Sequence, residues 1–115
     1  MEYQVKLTTP AENDAYESYE YLREISQESA DKWLVALFEA IFSLDTMPRR
    51  CPVISESEEL GFEARQLLYG KRSGTYRILF DIKEESEDVS IVRVLRIWHS
   101  SKDKIRVEDL ELSDE

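Results

Sequence analysis

One cysteine, one histidine, three glycines and three prolines are all that 115 residues supply of these types. The lone thiol, Cys51, excludes an internal disulfide and any metal site built from several thiolates, as expected of a chain kept in the reducing cytoplasm. Apolar runs are short: none approaches the ~20 residues that span a bilayer. Met1 to Val5 carries neither a positive segment nor an apolar one, so no signal peptide is expected. Cations are scarce as well. Fifteen Lys and Arg face 25 Asp and Glu, a net charge of −10, which argues against binding nucleic acid over the whole surface.

What is present suffices for one domain. A chain of this size buries roughly 65% of the surface it exposes when unfolded. The 42% hydrophobic and 10% aromatic content can supply that core. Charge is unevenly spread. Residues 1–47 carry a net −7, residues 48–106 a net +2, and residues 107–115 five acids and no base. In the middle segment most acids fall in two patches, Glu56–Glu59 and Glu84–Asp88, which read as exposed loops. Lys71, Arg72 and Arg77 cluster around Gly70 and Gly74, leaving a mildly basic region inside an acidic shell.

Tyr3, Val5 and Leu7 alternate with polar residues, the pattern of a short strand with one buried face. In Thr9-Pro10-Ala11-Glu12, Thr9 reads as a cap, Pro10 as the first helical residue and Glu12 as the capping-box acid. Ala15, Tyr19, Leu22 and Ile25 carry this helix to about Ser26. A second helix begins near Ser29 with Trp33, Leu37, Ala40, Ile41, Leu44 and Met47 on one stripe, widened by Leu34 and Phe38. Met47-Pro48 ends it. Three strand-like runs follow, Ala64–Tyr69, Thr75–Lys83 and Val89–His99, with glycine-bounded and acidic connections suited to hairpins. Both faces of the last run mix apolar and polar residues, which predicts a central strand with helices on one side and a partly open surface on the other. The order β-α-α-β-β-β makes an α+β domain: a helical hairpin packed on an antiparallel sheet, over residues 1–106. Residues 107–115 form an acidic tail, with room for one short helix in the stretch after Ser101.

The sequence resembles the RelE/ParE family of bacterial toxins from two-component toxin–antitoxin systems. The resemblance is carried by Ala30-x-x-Trp33, Ala40-Ile41-x-x-Leu44 and Pro48, then Arg65-x-Leu67 and Gly70. Tyr76-Arg77-Ile78-Leu79-Phe80 and Val92-x-Val94-Leu95-Arg96-Ile97-x-His99 complete it, in the family's order over residues 3–103. It implies a growth-inhibiting toxin neutralised by a cognate antitoxin, with no cofactor and no metal. One branch of the family poisons DNA gyrase; another cleaves messenger RNA on the ribosome.

Under the RNA-cleaving alternative, Arg77 matches the arginine that steadies the scissile phosphate, and His99 the acid–base group. Arg65 matches a third family position, and Lys71 and Arg72 would touch RNA backbone. The competing reading of Arg77 is a sheet-surface salt bridge to Asp81. No tyrosine follows Tyr76, although the nucleases place one near the histidine, and the chain is acidic where ribosome-directed members are basic. His99-x-x-x-Asp103 is closer to the ParE-like branch, which is therefore preferred. An inactive member that only binds its partner is the remaining alternative.

Overall fold

A computed structural model describes residues 2–70, 75–86 and 88–110. Strand β1 (Gln4–Leu7) leads into helix α1 (Thr9–Ile25), α2 (Gln27–Phe42) and the one-turn α3 (Ser57–Leu60). Strands β2 (Arg65–Tyr69), β3 (Tyr76–Glu84) and β4 (Ser90–His99) follow, then a short α4 (Val107–Leu110). All four strands and both long helices fall where the sequence pattern predicts them. The strand order is β1-β4-β3-β2: the last three form the antiparallel meander, and β1 joins it parallel to β4. β4 is thus central, as its mixed faces require.

The helix ends differ in detail from the expectation. The α1 cap is Thr8, not Thr9: its hydroxyl accepts the Ala11 N–H at 3.2 Å and donates to the Leu95 carbonyl at 2.9 Å. Tethering to β4 selects Thr8, and Glu12 then lies beyond the capping-box position. Ser26 ends α1 and caps α2 through the Ser29 N–H, so α2 starts at Gln27 without a linker. It closes at Phe42 into a 3₁₀ turn, Ser43–Asp45. Met47 adopts a left-handed φ of 49° immediately before Pro48, a conformation no helix can carry.

The β3–β4 register shifts between Leu79 and Phe80: Leu79 lies opposite Arg96, but Phe80 opposite Val94. Leu95 is the extra residue of a bulge, and it inverts the alternation of β4. Val92 and Val94 before it, and Ile97 after it, all face the helices with Ile78 and Phe80. Leu95 and Trp98 turn to the other side with Leu79. That second side is not the open surface the sequence suggested. Ile54, Leu60 and Ala64 from the β2 approach, and Ile105 and Leu110 from the C-terminal segment, close it with a smaller core.

Candidate functional site

The residues singled out for phosphate chemistry gather where β3 begins and β4 ends. There Tyr76 pairs with His99, and Arg77 with Trp98. Alternation puts each pair on a different side of the sheet. Tyr76 and His99 share the helix side: their rings meet edge-on at 4.9 Å, and Tyr76 also packs 5.4 Å from Trp33. Tyr69 completes this aromatic row, donating its hydroxyl to the Trp33 carbonyl at 2.8 Å, and burial raises its pKa above the ordinary tyrosine value. His99 is half-buried, with Nδ1 2.6 Å from the Ser101 hydroxyl. The same nitrogen accepts the Ser101 backbone N–H at 3.0 Å, so the neutral ring carries its proton on Nε2.

Arg77 lies on the opposite side. Its guanidinium makes a bidentate pair with Glu56, at 2.8 and 3.0 Å, and its Nε donates to Gln66 at 2.7 Å. Glu56 is 3% exposed. The Arg77 guanidinium beside it lowers its carboxyl pKa from 4.5 to about 2, against the opposing effect of burial. The same carboxylate accepts the Ile105 N–H at 3.4 Å, joining β3 to the C-terminal segment. The salt-bridge reading of Arg77 therefore has the wrong partner: Asp81 is taken by Arg93, at 2.7 and 3.1 Å. Nor is Glu56 part of an exposed acidic patch; Glu58 and Glu59 are exposed, whereas Glu56 points inward beside Ile54 and Leu60.

Arg65 serves the loop before its strand. Its guanidinium donates to the carbonyls of Cys51 at 2.6 Å and Arg49 at 3.2 Å, and it pairs with Glu63 at 3.2 Å. Lys71 and Arg72 lie outside the described residues. Cys51 is buried, and burial pushes its thiol pKa up, away from the reactive thiolate.

Arg77 and His99 thus lie on opposite sides of the sheet, Arg77 bonded to Glu56 and Gln66. Arg65, opposite Phe80 on the helix side, bonds the Cys51 and Arg49 carbonyls and Glu63, while His99 shares that side farther along, opposite Tyr76. Sequence reasoning missed Glu56, whose only signal is its two-residue spacing from buried Ile54. It also missed the setting of Trp98, whose ring lies under Lys102 Nζ at 4.6 Å and beside the Arg96 guanidinium at 5.1 Å. Among the described residues no group of three or more His, Cys, Asp or Glu is arranged to hold a metal. No described helix is long and apolar enough to cross a membrane.

No curated protein matches the chain. A family description does, that of the ParE toxin of type II toxin-antitoxin system, parDE, over residues 5–104. That span takes in β1 from Val5, the hairpin and the whole meander, and it includes every residue that carries the sequence resemblance. By that match and this fold, the chain belongs to the ParE toxin family of type II toxin–antitoxin systems.

Proposed function

We propose that this toxin arrests growth by binding a protein target, DNA gyrase, rather than by cutting RNA, and that a cognate antitoxin neutralises it. The observation that carries the reading is the separation of Arg77 from His99 by the thickness of the sheet. Cleavage at a 2′-hydroxyl needs a proton-transfer group and a phosphate-steadying cation on one reacting centre, within hydrogen-bond reach of it. Here the cation is held by Glu56 on one side while the imidazole faces the other. Inhibition by binding places no such demand on either residue.

The second reading is a metal-independent endoribonuclease using Arg77, His99 and Arg65, with Lys71 and Arg72 on the RNA backbone. One feature favours it: His99 leaves a protonated Nε2 on a half-buried ring, a ready donor.

Inducing the chain alone in a bacterial host, with thymidine and methionine incorporation followed together, separates the two. An early fall in thymidine uptake with filamenting cells is expected, with inhibition of gyrase supercoiling by the purified protein. His99→Ala should keep both effects. A rapid fall in methionine uptake, with cleaved ribosome-bound message that His99→Ala abolishes, would overturn the proposal. Soluble protein without either effect would indicate an inactive member.

A further inference from the structure

Strand β4 ends on one side of the sheet, and the chain that follows it covers the other. His99 shares the helix side with Tyr76, whereas Ile105 and Leu110 are buried in the core of the second side. Only residues 100–102 make the crossing, because Trp98, on the second side, already donates its indole N–H to the Asp103 carbonyl at 2.8 Å.

This turn is held at three points. The Ser100 N–H bonds the Thr75 carbonyl at 3.1 Å, and the Lys102 N–H bonds the His99 carbonyl at 3.0 Å. The third point is the His99 ring, whose Nδ1 accepts the Ser101 backbone N–H at 3.0 Å and faces the Ser101 hydroxyl at 2.6 Å. Beyond the turn, residues 103–106 pair with no strand, and the polar ties are sparse. Glu56 accepts the Ile105 N–H at 3.4 Å, and Arg96 donates to the Asp109 carbonyl. The turn therefore carries much of the placement of this cover.

Its third point depends on charge. A neutral imidazole keeps one nitrogen free to accept; an imidazolium keeps none. Protonation puts a hydrogen on Nδ1, so the Ser101 backbone N–H faces another donor, and the hydroxyl holds its contact only by turning to accept. Nothing around the ring offsets the loss. Tyr76 of β3 packs on it edge-on, with Trp33 of α2 behind, and Ser101 is the contact from its own segment. Of the charged groups around this row, Lys102 lies over Trp98 and Glu39 of α2 acts on Tyr69. No carboxylate among the described residues forms an ion pair with His99. Histidine is the side chain that ordinarily changes charge between pH 5 and 8, and this chain has one.

We propose that His99 is a pH-sensitive latch: protonation of its ring releases Ser101 and loosens the C-terminal cover, residues 101–110, from the second side of the sheet. The closed cover holds the neutral ring, so opening takes up a proton and becomes easier as the pH falls. It uncovers Leu79, Leu95 and Trp98, all buried when the cover is closed. The latch is independent of whether the target is gyrase or RNA.

The test is amide exchange of the full chain, followed by NMR at about pH 7.5 and about pH 5.5 and expressed as opening constants. Opening at the Ile105 amide and the Trp98 indole should rise on the order of 5-fold at the lower pH, about what one lost hydrogen bond is worth. The amides of Phe80 and Val92, at the buried centre of the sheet, should not change. In the same samples the His99 ring and the Ser101 N–H should titrate together with that opening. His99→Asn keeps a neutral acceptor near the position of Nδ1, so its cover should stay closed and the pH dependence vanish. Equal opening at both pH values, a rise that persists in His99→Asn, or a ring titration that leaves Ser101 unmoved would overturn the proposal. So would a rise shared by Phe80 and Val92, which would report loosening of the whole domain. The wild-type titration needs no variant, so it decides the matter even where His99→Asn fails to fold.

Discussion

The two sides of the sheet are built on different terms. The helix side is sealed by regular elements: Ile78, Phe80, Val92, Val94 and Ile97 meet Leu37, Ile41, Ala11 and Ala15, and every one of them is buried. The other side is closed by irregular chain, which supplies fewer apolar groups and leaves room for charge. Arg77–Glu56 and Arg93–Asp81 sit there among Leu79, Leu95 and Leu110, with the Glu56 and Asp81 carboxylates almost fully buried. The first side stabilises by area removed from water. The second fixes covering segments in place through groups that are costly to strand, although such pairs add little over an apolar replacement.

Truncation on each side should break the comparison most visibly. Phe80→Ala, at a fully buried position facing the helices, is expected to cost about 3–5 kcal/mol in denaturant unfolding. Leu95→Ala, equally buried on the second side, should cost about 2–4 kcal/mol if the covering segments form a true core. A loss for Leu95→Ala no larger than that of a surface change would reduce the second layer to a loose flap.

Arg77→Ala tests the polar half of the contrast. It leaves the Glu56 carboxylate buried without its cation, at an expected cost of about 3 kcal/mol or more. Loss of toxicity in that variant would report unfolding as readily as a missing functional group. The pair replacement Arg77→Met with Glu56→Leu should recover most of the stability. A double variant as unstable as the single would mean that Arg77 holds the fold through contacts other than Glu56.

Acid provides a smaller and more selective probe. The folded pKa of Glu56 is about 2 and its ordinary value 4.5, so between them the unfolded chain binds the extra proton. Stability from this group is complete above 4.5 and is lost as the pH falls through about 2. The loss is on the order of 3 kcal/mol. Unfolding measured from neutral to acid pH should show this decline in the wild type, and Glu56→Gln should flatten it. An unchanged acid slope in the Glu56→Gln variant would assign the loss to other carboxylates.

The same contrast decides what was legible beforehand. Helices and strands on the first side announce themselves by period: Leu37, Ile41 and Leu44 on α2 and the turn after it, and Ile78 and Phe80 on β3, each follow their element's repeat. The second side has no period to read. Arg77 finds Glu56 across 21 positions, and nothing local distinguishes Glu56 from the exposed Glu58. The bulge at Leu95 hid the faces of β4, because one extra residue exchanges the parities on either side of it. Arg77 and His99 share the same parity in the sequence, which says nothing about side once two strands and a bulge intervene. Only the pairing of Tyr76 with His99 assigns them to opposite sides.

The smallest predicted effect sits at the seam between the two sides. Thr8 spans it: its hydroxyl accepts from the first turn of α1 and donates to the carbonyl of Leu95, the bulged residue. Its backbone N–H bonds the Val94 carbonyl, just before the bulge, at 3.0 Å. Thr8→Ala removes both hydroxyl bonds and should cost about 1–2 kcal/mol, the range of a lost N-cap. Thr8→Ser keeps the hydroxyl and should stay within about 0.5 kcal/mol of the wild type. Amide exchange then reports where the loss is felt. If capping alone matters, protection falls in the first turn of α1 for Thr8→Ala and nowhere else. If the tie to Leu95 also holds the bulge, the amides of Arg96 and Ile97 lose protection with it, although no residue of β4 has changed. That second result would make one threonine the mechanical link by which the regular side fixes the register of the irregular one.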